Sequence, residues 1–139
     1  MPHIDPDGGP ILVLGATGYV GGRLVPRLLN LGYTVRAGAR SVDKLACRPY
    51  SQHPRMQLAA VDVLDQSSLE QALSGCQAAY YLVHSMQAKG GRFQDLDRTA
   101  ASNMTRAAEK TGLKRIIYLG GLGEDTDDLS EHLRSRHEV

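Results

Sequence analysis

Five short runs of aliphatic and β-branched residues recur along the chain, each followed by a stretch with helical spacing. This alternation limits the fold more than any other feature. The runs are ILVLG (11–15), TVRAGA (34–39), MQLAAVDV (56–63), AAYYLVH (78–84) and RIIYLGG (115–121). Short continuous apolar runs suit parallel strands buried on both faces. Strands alternating with helices predict an α/β fold with a doubly wound parallel sheet, and right-handed crossovers place helices on both of its faces. The expected strand order is 3-2-1-4-5, with the first strand central. At 139 residues the chain suffices for one domain with a true core.

The helical stretches carry end signals. In SSLEQALSG, Ser67 precedes Glu70 by three residues, which predicts a capping box, and the segment closes on Gly75. Gly32 and Gly112 also follow apolar-periodic segments. The longest helix is expected through FQDLDRTAASNMTRAAEKTG (93–112), where Phe93, Leu96, Ala100, Met104 and Ala107 share one face. Pro26 falls inside the first helix, where it removes a hydrogen bond and is expected to bend the axis. Near the end, Asp128 and Ser130 are candidate caps for a helix carrying Leu129 and Leu133. Doubly wound nucleotide domains usually add a sixth strand. The expected organisation is therefore a tail over 1–10 and a domain over 11–139, cut before a C-terminal part that would bind substrate.

Charge and composition exclude several classes. A net charge of +1, with Lys and Arg scattered, offers no field to gather nucleic acid or an anionic membrane. No apolar run approaches the roughly 18 residues of a membrane span, and MPHIDPDGGP lacks a basic-then-apolar signal pattern. Cys47 and Cys76, in helix-like segments, have no metal-ligand spacing and read as reduced thiols. The expectation is a soluble cytoplasmic protein without a metal, and homo-oligomerisation stays open.

The stretch ILVLGATGYVGG (11–22) points to a ligand. A buried strand ends and glycines follow at 15, 18 and 21. In a first strand-to-helix turn, such glycines permit a sharp exit, a close approach of ligand to backbone, and close helix packing. The helix start then offers unpaired N–H groups and a dipole to a diphosphate. The loop residues Gly15, Thr17, Gly18, Tyr19, Val20 and Gly21 are the candidate cradle; glycines serving tight packing alone are the competing reading. No Gly-Lys-Ser/Thr follows, which disfavours an ATP or GTP loop. At the end of the second strand an acid would accept from a ribose 2′-hydroxyl and repel a 2′-phosphate. Here VRAGARSVDKL has no acid ending the strand; Arg40 follows it and Lys44 lies a turn further on. A guanidinium can hold a phosphate with two parallel hydrogen bonds. The preferred cofactor is thus NADP, with NAD open and a solvated Arg40 as the alternative.

These segments, with GATGYVGGRLVPRLL, VDVLDQSSL, AYYLVHSM and KRIIYLGGLGED, resemble the atypical short-chain dehydrogenase/reductases. That group comprises NmrA-like and NAD-dependent epimerase/dehydratase-like NAD(P)-binding proteins. The resemblance covers nearly the whole chain from residue 10. It implies a Rossmann fold, with Asp62 and Val63 near the adenine and Val83, His84 and Ser85 along the nicotinamide-side ribose. It also implies that Asn103 orders the active site, although a buried, hydrogen-bonded amide is an equal reading of that residue.

Departures from the group bear on catalysis. Catalytic members use a Tyr-x-x-x-Lys pair and a Ser or Thr at the end of the fifth strand, the tyrosine moving the proton. Here Gly120 and Gly121 stand at the hydroxyl position, and His132 and Arg136 have the spacing of the Tyr–Lys pair. A solvated helix face is the competing reading for these two. Three functions follow: a nicotinamide-dependent oxidoreductase or epimerase/dehydratase-like enzyme, a non-catalytic NAD(P) sensor, or a cofactor-binding fragment inactive by truncation.

Overall fold

The computed structural model describes residues 5–83 and 92–118. Strands β1 (Ile11–Leu14), β2 (Val35–Ala39), β3 (Met56–Ala60), β4 (Ala78–Tyr81) and β5 (Ile116–Tyr118) alternate with helices. The helices are α1 (Tyr19–Asn30), α2 (Val42–Ala46), α3 (Gln66–Leu73) and α4 (Arg92–Thr111), with a 3₁₀ turn at Pro49–Gln52. All strand pairs are parallel and the order is β3-β2-β1-β4-β5, as the alternation predicts.

Strand β1 shows why its run is apolar at every position. Side chains alternate across a strand, so Ile11 and Val13 enter the core formed with Val25, Leu28 and Leu29 of α1 and Leu45 of α2. Leu12 and Leu14 enter the opposite core with Leu69 and Leu73 of α3 and Met104 and Ala107 of α4. Helices therefore cover both faces. β1 pairs with β2 on one side and β4 on the other, with Leu14 opposite Gly38 and Tyr81. The direction in which successive strands are added to the sheet reverses between β1 and β4, and the crevice beyond the C-terminal ends of these strands is where such sheets bind ligands.

Two local expectations change, at the cap of α3 and at Cys76. The cap of α3 is Asp65, whose carboxylate accepts from the Ser67 N–H at 3.0 Å. Asp65 lies two residues upstream and reaches the amide first, so the helix begins before Ser67. Glu70 instead accepts from the Gln66 amide at 3.1 Å and pairs with Lys110 at 3.2 Å. Pro26 sits within one continuous helical span, its missing N–H depriving the Gly22 carbonyl of its i+4 donor. Cys76 lies in the turn between α3 and β4, half-buried, and Cys47 is the exposed C-cap of α2; both are free.

Arg36 in β2 fastens the far end of α3. Its guanidinium donates to the carbonyls of Ala72 (2.5 Å) and Ser74 (2.8 Å), and its Nε donates to Gln57 on β3 at 2.9 Å. The carbonyls orphaned at a helix C-terminus thereby gain a cationic donor. This fixes α3 and leaves the opposite edge of the sheet to the loops.

Candidate dinucleotide site

The exits of four strands build the site. After Leu14 the chain turns at Gly15, in the left-handed region at φ +88°. A Cβ there would lie 2.8 Å from the Leu82 carbonyl oxygen, beside the exit of β4. The Gly18 N–H donates to the Gly15 carbonyl at 3.0 Å and closes the turn. Gly18 is the N-cap of α1; no side chain caps this helix and its first turn holds no acid. The helix start thus presents its N–H groups and positive dipole end without a competing carboxylate.

Gly21 is the tightest position in the loop. A Cβ there would fall 2.3 Å from the Gly15 carbonyl oxygen and 2.8 Å from Ala16 Cα. Its glycine is demanded by the loop lying against the first turn of α1, rather than by the helix lying on the sheet. Gly18 is exposed, and a Cβ there would meet the Gly15 oxygen at 3.3 Å and nothing else within 4 Å. Tyr19 and Val20 are exposed at the helix start, and the Arg23 guanidinium lies 4.2 Å from the centre of the Tyr19 ring.

Arg40 follows β2 directly and is exposed, and Lys44 is exposed on α2. A residue not anticipated from the sequence joins them. Arg48, just past α2, donates from Nη2 to the Thr17 carbonyl at 3.1 Å. Its spacing of four from Lys44 and eight from Arg40 was the available signal. Two residues on, Tyr50 packs on the α1-side core with its hydroxyl oxygen buried and without a hydrogen-bond partner. Burial pushes that phenol's pKa above 10.0, and the charge of Arg48 opposes the rise.

After β3, Asp62 is exposed and its carboxylate accepts from the Leu64 N–H at 3.0 Å. The Ser68 hydroxyl accepts from the Asp62 N–H at 3.0 Å and lies 2.8 Å from the Asp62 carbonyl oxygen. The Asn103 side-chain amide donates to the Val63 carbonyl at 3.0 Å. Asn103, half-buried, thereby ties α4 to this loop. Val83, after β4, is half-buried against the α3–α4 core. His84, Ser85, Gly120, Gly121, His132 and Arg136 lie outside the described residues. Among the described residues no cluster of metal-ligating side chains occurs, and no helix is long and apolar enough to cross a membrane.

The sheet edge thus brings together an uncapped helix start behind a glycine turn, cations after β2, and a pinned loop after β3. The profile of a family described as NAD(P)H-binding matches residues 15–138. The chain belongs to this NAD(P)H-binding family. A dihydroflavonol 4-reductase from Hordeum vulgare is 30% identical over 135 residues, which cover 86% of this chain and 37% of the relative. The structure of Citrobacter sp. triphenylmethane reductase superposes with a TM-score of 0.74 at 24% identity, over 92% of this chain and 44% of that one. The same reductase complexed with NADP(H) gives a TM-score of 0.72 at 22% identity, with the same coverage. The chain spans little more than a third of the length of the curated relative (37%). As a family member it carries an NAD(P)-binding Rossmann domain, and a dinucleotide is its partner.

Proposed function

We propose that this chain is the cofactor-binding part of an NADP(H)-dependent oxidoreductase of the atypical short-chain class. The observation that carries the cofactor choice is Arg40, exposed immediately after β2 where an acid would select NAD. The Citrobacter reductase, similar in fold, is known in complex with NADP(H), and the Hordeum relative is named a reductase. In this reading the amides from Tyr19 to Gly21 hold the diphosphate, Arg40 and Lys44 face the 2′-phosphate, and Asp62 and Val63 border the adenine. Val83, His84 and Ser85 border the other ribose. The bound cofactor supplies the hydride. The chain's own residues bind and orient it, and His132, four residues before Arg136 in sequence, is the candidate to hand a proton to a carbonyl oxygen. The substrate pocket is assigned to sequence beyond the domain over 11–139.

Titration calorimetry with NADPH and NADH tests this reading. NADPH should bind more tightly, and Arg40→Ala should narrow the difference. Equal binding of both cofactors by the unaltered chain would refute the NADP preference. A second reading, a non-catalytic NAD(P) sensor, is favoured by Gly120 and Gly121 at the hydroxyl position and by the absence of a Tyr–Lys pair at 132 and 136. Cofactor binding without turnover of any carbonyl substrate would support it. Turnover lost in His132→Ala would support the enzyme.

A further inference from the structure

We infer that Arg48 determines cofactor specificity, holding the 2′-phosphate of NADP(H) from the glycine-loop side while Arg40 holds it from the β2 side. The inference rests on the dinucleotide reading above and adds a residue to it. Three observations carry it.

Arg48 springs from a fixed base. Its N–H donates to the Leu45 carbonyl at 3.0 Å, and its own carbonyl accepts from Ser51 at 3.0 Å. The Ser51 hydroxyl donates to the Ala46 carbonyl at 2.9 Å, and Leu45 is fully buried between α2 and the sheet. The side chain therefore extends from backbone held on both sides, which lowers the entropy lost when it grips a ligand.

The guanidinium is already at the loop. Nη2 donates to the Thr17 carbonyl at 3.1 Å, and a Cβ on Gly22 would lie 3.9 Å from Nη1. It spans from the turn between Gly15 and Gly18 to the second residue pair of α1. A guanidinium has five N–H donors in a planar fork. Arg48 is exposed, so donors beyond the one on Thr17 face solvent, where a phosphate can take them.

The direction of approach selects the phosphate. Arg48 comes from the segment that follows β2, the side of the crevice that takes the adenosine half of a dinucleotide. Arg40, Lys44 and Arg48 recur every four residues, one before, one within and one after α2, so the segment between β2 and β3 carries three exposed cations. Asp43, the acid of that helix, lies in its first turn, off this spacing. A 2′-phosphate brings charge that a hydroxyl lacks, and forked guanidinia on two sides match it.

The test is titration calorimetry of NADPH and NADH with the unaltered chain, Arg48→Ala, Arg48→Lys and Arg40→Ala. Arg48→Ala should weaken NADPH by roughly tenfold or more and leave NADH within about twofold. Arg48→Lys, which keeps the charge but loses the fork, should recover part of the NADPH affinity and leave NADH unchanged. An equal loss for both cofactors in Arg48→Ala would mean that the residue only holds the Thr17 carbonyl, and would overturn the inference. No loss for either would overturn it as well. If Arg40→Ala erases the preference while Arg48→Ala does not, the NADP reading stands and Arg48 alone is refuted. If the unaltered chain shows no preference, both fall.

Discussion

The side-chain amide of Asn103, in the middle of α4, donates at 3.0 Å to the backbone carbonyl of Val63, forty residues away in the loop after β3. The contact ties the longest helix to the loop that borders the adenine in the proposed site. Ser68 grips the same loop from α3 through Asp62. The loop is thus held before any ligand arrives, and a site whose groups are held in place loses less on binding. Asn103→Ala should cost about 1 kcal/mol of stability and weaken NADPH and NADH alike. Urea denaturation and titration calorimetry on the same variant check both parts; unchanged affinity for both cofactors would confine Asn103 to stability.

Gly21 and Gly18 should respond differently to the same methyl group. Gly21→Ala drives a Cβ to 2.3 Å from the Gly15 carbonyl oxygen, so backbone must move. A destabilisation of about 1–3 kcal/mol is expected, with loss of cofactor binding. Gly18→Ala meets only the Gly15 oxygen at 3.3 Å. It should fold with near-normal stability and still bind cofactor poorly, because its Cβ stands on the side left open to a ligand. Thermal unfolding beside cofactor titration separates the two effects.

Much of this architecture was legible in the sequence, and the reasons are physical. The run Ile11–Leu14 is apolar throughout because both faces of β1 are buried, and that pattern alone implies helices on both sides. Gly15 and Gly21 announced the loop because backbone contacts there exclude a Cβ. The helix start was less legible at α3. Ser67 and Glu70 form a capping-box pattern, yet Asp65 reaches the same first turn from two residues upstream. Arg48 belongs to no motif, because its contact with the Thr17 carbonyl depends on where α2 returns the chain, a tertiary fact. Asn103 was recognisable as a polar residue beside the apolar face of α4, but its partner Val63 is set by how α4 packs beside β3 and α3.

Tyr50 carries a buried hydroxyl oxygen without a partner, next to the chain segment that positions Arg48. A buried polar atom left unpaired costs roughly 1–3 kcal/mol. Tyr50→Phe removes it while keeping the ring in the α1-side core, so the variant should be more stable by about 1 kcal/mol. A lower urea midpoint than that of the unaltered chain would show that the hydroxyl is engaged in solution.

The two cysteines should differ in reactivity. Cys47 is exposed, whereas burial pushes the Cys76 thiol above its ordinary 9.0, with the Arg36 charge opposing the rise. Iodoacetamide should therefore modify Cys47 first. A thiol with a raised folded-state pKa releases its proton more easily once unfolded. Its contribution to stability is whole below 9.0 and is lost as pH climbs through the higher folded value. Unfolding midpoints measured on either side of pH 9.0 should fall on the alkaline side, and the fall should shrink in Cys76→Ser.

In the proposed site the glycine turn and the start of α1 receive a dinucleotide diphosphate. An amide-shift titration of isotope-labelled protein with NADPH tests it most directly. The largest shifts should fall on Gly15 and on Gly18–Gly21, accompanied by Arg40 and the loop at Asp62–Leu64. Saturable shifts confined to another face of the sheet, with the glycine turn unmoved, would contradict it.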